Sequence, residues 1–162
     1  MKEMRPTTGR VLLALFNILG PLDGKSFLDL FSGSGQITLE AKKRGAENIC
    51  SIESDRKRYE AIVKKVPKDV KCFCMDVRRA VSRFAKKGES FNIIFADPPY
   101  DLGWGQELPK LIDNNNFVLS DNGIFVYEHS EREEIFELDL NKWSREDRVY
   151  GGTILTFYKK EI

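Results

Sequence analysis

Four consecutive residues, Asp97-Pro98-Pro99-Tyr100, combine a carboxylate, two ring-fixed φ angles and an aromatic ring. They follow an apolar run, Phe91–Ala96, that reads as a buried strand. A carboxylate and a pre-set carbonyl at a strand end can accept the two N–H groups of a planar amine, while Tyr100 stacks on the ring that carries it. Asp97 is also placed to stabilise positive charge developing on that nitrogen. Pro-Pro on its own is a common structure breaker. Its position after a buried strand, with a glycine-rich turn upstream, is what makes a chemical reading stronger than a rigid loop.

The upstream turn is Asp29-Leu30-Phe31-Ser32-Gly33-Ser34-Gly35. Gly33 and Gly35 allow backbone to bend sharply and press against a ligand, with Ser34 between them. A dinucleotide fingerprint requires a further Gly or Ala three residues after Gly35, and Thr38 stands there. That argues for a cofactor without pyrophosphate. Glu53, 20 residues after Gly33, ends the next strand and can accept both hydroxyls of a ribose, with Ser54 beside it. Asp76, past the third strand, either accepts from an adenine amine with Val77 against the ring or simply caps the helix that follows. Asp29 either fixes the loop or reaches the amino group of the cofactor. Acids at three successive strand ends fit adenosine joined to a charged amino acid, as in S-adenosylmethionine.

The elements that position these residues alternate. The spacing predicts helices over Thr8–Leu19, Gln36–Arg44, Asp55–Val66 (capped by Ser54), Val77–Lys87 and Gln106–Asn114, with Pro109 tolerated in a first turn. Strands are expected at Ser26–Phe31, Asn48–Ile52, Val70–Cys74, Phe91–Ala96 and Gly123–Glu128, and a weak helix at Glu131–Phe136. Trp143–Tyr150 and Thr153–Lys159, joined by Gly151-Gly152, read as a hairpin. Five βα units and a terminal hairpin predict an α/β, doubly wound, mostly parallel sheet with helices on both faces. Its ligands are expected beyond the strand C-termini. One domain is expected over 1–162, with an N-terminal segment and helix over 1–20 and a catalytic core over 21–162.

Composition excludes several classes. With 41% hydrophobic and 31% charged residues, the chain reads as an ordinary soluble globular protein without a membrane span or an apolar signal region. Three cysteines and a single histidine argue against a disulfide framework or a zinc site and for a reducing cytoplasm; Cys72 and Cys74 read as small buried residues. His129 reads as a polar strand-end residue. The net charge of +1 conceals a split: residues 1–90 carry 19 Lys and Arg against 11 Asp and Glu, and residues 91–162 carry 7 against 14. The basic clusters, Arg78-Arg79 and Arg83 among them, are either solvated helix faces or a surface for a polyanion.

At these residues the chain resembles a family. Asp29-x-Phe31-x-Gly33-x-Gly35, Glu53, Asp76 and Asp97-Pro98-Pro99-Tyr100 are similar to the motifs of class I S-adenosylmethionine-dependent amino-methyltransferases. Arg5-Pro6-Thr7-Thr8, Arg10-Val11 and Leu15-Phe16-Asn17 narrow the resemblance to the bacterial small-subunit rRNA guanine-N2 methyltransferases of RsmD type. The resemblance implies a seven-stranded methyltransferase sheet, S-adenosylmethionine as cofactor, no metal, and N2-methylguanosine in 16S rRNA as product. Its partner would be rRNA, the small subunit or an assembly intermediate. Two departures stand out: four residues precede Arg5 where the family carries a basic hairpin, and Leu12-Leu13 replace a charged pair. Arg5, Thr7 and Arg10 are candidate phosphate contacts or bridges to the acidic face. Trp104, expected on a flexible loop, would clamp the base, act as a lid or cover the sheet end. The competing readings are a DNA adenine-N6 or cytosine-N4 methyltransferase and a cofactor-binding assembly module without activity.

Overall fold

The computed structural model describes residues 8–161. In chain order the strands are β1 (Phe27–Leu30), β2 (Ile49–Ile52), β3 (Lys71–Phe73), β4 (Phe91–Ala96), β5 (Leu119–Ser130), β6 (Trp143–Tyr150) and β7 (Thr153–Lys160). The helices are α1 (Gly9–Leu19), α2 (Gln36–Lys43), α3 (Arg56–Lys65), α4 (Val77–Lys86) and α5 (Trp104–Asn114), and a 3-10 turn spans Asn116–Val118. The seven strands form one sheet in the order β3-β2-β1-β4-β5-β7-β6. β1 to β5 are parallel, and β7 runs antiparallel to both β5 and β6. Strand order reverses at β1 and β4, where Leu30 pairs with Ala96, so Phe31 and Asp97 leave the sheet side by side. A crevice opens at such a reversal.

Alternation along each strand divides the core into two layers. Leu28, Ile94 and Tyr127 face α4 and α5, packing with Val81, Phe84, Leu108 and Ile112. Phe27, Ile93, Phe95 and Val126 face α1 and α2, packing with Leu15, Phe16, Ile37 and Ala41. An eleven-residue helix such as α1 is marginal alone. Burial of Val11, Leu15, Phe16 and Leu19, worth roughly 1.5–3 kcal/mol each, is what holds it. Thr8 caps it, its hydroxyl accepting the Val11 N–H at 3.3 Å. Leu12 packs against the core and Leu13 is exposed.

Several elements differ from expectation. Asp55, not Ser54, caps α3, accepting the Arg58 N–H at 3.0 Å. β5 is much longer than Gly123–Glu128 and crosses a register shift opposite Asn92. Glu131–Phe136 forms no helix. α5 begins at Trp104, which places Pro109 in its interior. Proline there leaves the carbonyl four residues earlier without its helical donor. That carbonyl belongs to Gly105, and it accepts the Phe136 N–H at 2.8 Å. The 131–136 segment is therefore stitched to α5 instead of forming its own helix. The cysteines are free: Cys50 is buried, while Cys72 and Cys74 are only partly covered.

Candidate cofactor and acceptor sites

The loop after β1 is braced from below. Asp29 is buried, its Oδ2 accepting the Thr38 hydroxyl at 2.6 Å, and burial pushes its pKa up to about 7. Asp29 thus fixes the loop. The Ser32 hydroxyl donates to the Asp29 carbonyl at 3.0 Å and lies 2.5 Å from the Ser51 hydroxyl of β2. Above this the chain turns through left-handed backbone at Phe31 (φ 59°), Gly33 (φ 56°) and Gly35 (φ 85°). The glycines adopt it freely; at Phe31 it costs about 1–3 kcal/mol, which its surroundings must offset. One such contact is Trp104, whose ring meets Phe31 edge-on with centroids 4.8 Å apart.

Glu53 lies directly past β2 and is 4% exposed. Its Oε1 accepts the Gly33 N–H at 2.8 Å and its Oε2 the Asp55 N–H at 2.9 Å. Asp76 caps α4, accepting the Arg78 N–H at 2.8 Å, and also pairs with the Arg78 guanidinium at 2.9 Å. Arg78 bridges onward to Glu107, which holds the Glu107 carboxyl below its usual range, and lies 4.2 Å above the Trp104 ring. Asp76 is therefore a cap that also reaches the cleft.

Two cavities flank the chain as it leaves β4. The first, about 420 Å³, is lined by Phe31, Glu53, Ser54, Asp76, Val77, Pro99 and Trp104, among others. The second, about 460 Å³, is lined by Tyr100, Asp101, Gly105, Ser130, Arg132 and Glu133, among others. Asp97 is half-buried and Pro98 buried between them, so the Asp97–Tyr100 turn presents Pro99 to one cavity and Tyr100 to the other. A carboxylate and a fixed carbonyl thus stand between two ligand-sized spaces.

Of the readings open for Trp104, the structure fits a cover over the sheet end and not a flexible loop. It is a buried helical residue on the wall of the first cavity, not a mobile clamp over the second. Ser34 is exposed, its carbonyl accepting from Lys65 at 3.4 Å. Arg10 is exposed on α1 and lines neither cavity. Arg5 and Thr7 lie outside the described residues. His129 is buried between the Thr156 hydroxyl (2.7 Å) and the Ser130 carbonyl (3.0 Å), and burial lowers its pKa. Sequence reasoning missed Thr38, Ser32 and Ser51, which brace the loop, and Glu133. The Glu133 Oε1 accepts the Tyr127 hydroxyl at 3.1 Å, and burial raises its pKa. Only Thr38 carried a signal: it occupies the position where a dinucleotide loop has a small residue.

A third groove, about 520 Å³, runs along α4 between Met75, Arg79, Arg83, Lys86 and Lys87. Among the described residues, none of these four cations forms an ion pair. No helix among the described residues is long and apolar enough to cross a membrane, and none of their His, Cys, Asp and Glu side chains cluster as metal ligands.

Known proteins are similar to this chain in sequence and fold. "Ribosomal RNA small subunit methyltransferase D" of Escherichia coli (strain K12) is 35% identical over 162 residues, covering 98% of this chain and 80% of that protein. "Putative rRNA methyltransferase YlbH" of Bacillus subtilis (strain 168) is 34% identical, covering 96% and 88%. The solved "Putative methyltransferase yhhF from Escherichia coli" superposes with a TM-score of 0.83 at 29% identity, covering 99% of this chain and 92% of that one. Residues 1–159 match the family described as "Conserved hypothetical protein 95". Matched by that family's model over nearly its whole length and 35% identical to a relative it covers to 80%, the chain belongs to that family, the one that includes the small-subunit rRNA methyltransferase D proteins.

Proposed function

We propose that this protein is an S-adenosylmethionine-dependent N-methyltransferase acting on the exocyclic N2 of a guanine in small-subunit rRNA. The observation that carries the reading is the Asp97-Pro98-Pro99-Tyr100 turn standing between two cavities. The names of its full-length relatives support rRNA as substrate. The cations of the α4 groove, without ion-pair partners among the described residues, support a polyanionic partner. We place the reaction in the cytoplasm, on the small subunit or an assembly intermediate, with residues up to 162 acting as one catalytic domain.

The first cavity has the chemistry to hold S-adenosylmethionine. Each Glu53 oxygen accepts one backbone N–H and keeps a lone pair for a ribose hydroxyl. Val77, Phe31 and Trp104 offer apolar walls to adenine, and Asp76 a carboxylate to its amine. Its volume lies within the ordinary range of small-molecule sites, about 300–1,000 Å³. Bound there, S-adenosylmethionine would supply an electrophilic methyl carbon on a sulfonium for transfer to a nitrogen nucleophile. Asp97 and the Pro98 carbonyl accept the two N–H groups of the acceptor, drawing its lone pair out of the ring and toward that carbon. Tyr100 stacks on the base. Asp97 then stabilises the methylated, positively charged amine until a proton leaves. A target inside paired RNA has to be extruded first, at a few kcal/mol.

The test is incubation with labelled S-adenosylmethionine and immature small-subunit particles, naked 16S rRNA or DNA. Label is expected in N2-methylguanosine of the rRNA. Label in DNA alone overturns the reading in favour of an adenine or cytosine enzyme, and label nowhere favours a binding module. Asp97→Ala is expected to keep cofactor affinity and lose at least a hundredfold in rate.

A further inference from the structure

The second cavity holds a carboxylate that the mechanism above does not use. Glu133 lines it together with Tyr100 and Asp101. Tyr127, whose hydroxyl donates to Glu133, pairs in register with Ala96, the residue before Asp97, and feels the Asp97 charge. Glu133 is thus set beside the reacting turn. Its segment is held there through its backbone: the Gly105 carbonyl accepts the Phe136 N–H, and the Gln106 side-chain amide donates to the Glu134 carbonyl at 3.3 Å. A carboxylate offers about four lone-pair sites. The Tyr127 hydroxyl uses one. The rest remain for a ligand in the cavity.

Three bases carry an exocyclic amine, and they differ at the ring nitrogen beside it. Adenine N1 and cytosine N3 present a lone pair; guanine N1 presents a hydrogen. We propose that Glu133 is the specificity residue of the acceptor pocket: it accepts the N1–H of guanine while Asp97 and Pro98 hold N2. Adenine or cytosine in the same pose would set a ring lone pair against the carboxylate. The nearby Arg132 guanidinium keeps the pocket from being wholly anionic toward RNA. Burial already disfavours the charged form of Glu133, so an incoming N–H donor compensates a group short of solvent. A site built to bond an N–H rejects an analogue that lacks it by large factors, because a buried acceptor is left unpaired.

This inference rests on the methyltransferase reading, and one experiment separates the two. The methylated position is mapped by mass spectrometry, and particles are reconstituted with guanosine or 2-aminopurine riboside there. The analogue keeps the amine, replaces N1–H with a lone pair and lacks the O6 carbonyl, a difference that native protein and variant meet alike. The native protein is expected to favour guanosine in kcat/KM by at least about a hundredfold. Glu133→Gln, whose amide can donate to that lone pair, is expected to shrink the ratio at least tenfold with S-adenosylhomocysteine affinity unchanged. An unchanged ratio in the variant overturns the proposal, because a merely structural Glu133 would slow both substrates alike. Should the Gln variant fail to bind S-adenosylhomocysteine, Glu133→Asp, which withdraws the carboxylate by one methylene, is read for the same fall in ratio. Absence of N2-methylguanosine from the native reaction overturns the parent reading and this proposal with it.

Discussion

Glu53 Oε1 accepts the Gly33 N–H at 2.8 Å, so the residue that follows β2 holds the glycine turn that follows β1. The same carboxylate holds the Asp55 N–H that opens α3. Two parallel strands are thereby locked at the level where a ligand would enter. Glu53→Ala takes the acceptor from two partly buried donors, and an unpaired buried N–H costs at most about 1–3 kcal/mol. Urea unfolding is expected to report destabilisation within that range. Calorimetry with S-adenosylhomocysteine is expected to show at least a tenfold loss of affinity. Undiminished affinity would remove Glu53 from the cofactor site.

Asp29 gives the fold a pH dependence of its own. Its carboxyl titrates at about 7 when folded and near 3.8 when unfolded, because burial penalises the charged form. Between those values the folded chain holds a proton that the unfolded chain has lost. The contribution is therefore fully present below about pH 4 and disappears as pH rises toward 7, by a few kcal/mol at most. Asp29→Asn keeps an acceptor for Thr38 without the titration. Native stability is expected to fall relative to the variant from pH 5 to pH 8 in urea unfolding. Parallel curves would refute the assignment.

The parallel order, the hairpin and the strand-end acids were legible in the sequence because each rests on local pattern: alternation, a Gly-Gly turn, a glycine loop. The misread parts depend on contacts distant in sequence. Trp104 reads as a loop residue from its glycine neighbours, yet Phe31 and Arg78 bury it as the first residue of α5. Pro109 reads as a first-turn proline because nothing local announces that Phe136 will take the freed carbonyl of Gly105. Glu133 reads as part of a weak helix over Glu131–Phe136. Its partner Tyr127 is six residues away, but the pairing forms only because 131–136 folds back on α5.

Trp104 offers an optical check on the cofactor cleft. It lines that cavity, whereas Trp143 is 1% exposed with its Nε1 donating to Asp113 at 2.8 Å. Titration with S-adenosylhomocysteine is expected to change the intrinsic fluorescence of the native protein and of Trp143→Phe, and to leave Trp104→Phe nearly unchanged. A response carried by Trp143 would move the ligand elsewhere.

The α4 groove sets a salt dependence. Arg79, Arg83, Lys86 and Lys87 line it without ion-pair partners among the described residues. Each phosphate neutralised on single-stranded RNA adds about 0.7 to the slope of log K against log salt. Replacing Arg79 and Arg83 by Ala is expected to weaken rRNA binding, with a slope reduced by roughly 1–1.5 if both contact phosphates, while S-adenosylhomocysteine affinity holds. An unaltered slope would mark these side chains as a solvated face.

Gly105 is where helix and acceptor pocket meet without room for a side chain. A Cβ there would press into the Glu134 carbonyl oxygen and come within 2.9 Å of the Glu133 Cγ. Backbone cannot yield as a flexible side chain can, so Gly105→Ala must push the 131–136 segment off α5 or weaken the Phe136 bond to the Gly105 carbonyl. Either movement carries Glu133 with it and leaves the Glu53 side of the sheet untouched. Stability is expected to drop by about 1–3 kcal/mol, as for other overpacked sites. The KM for the RNA is expected to rise at least tenfold while S-adenosylhomocysteine binding stays within a factor of two. Equal losses on both ligands would mean that the two cavities move as one body, and that the turn between them does not insulate acceptor from donor.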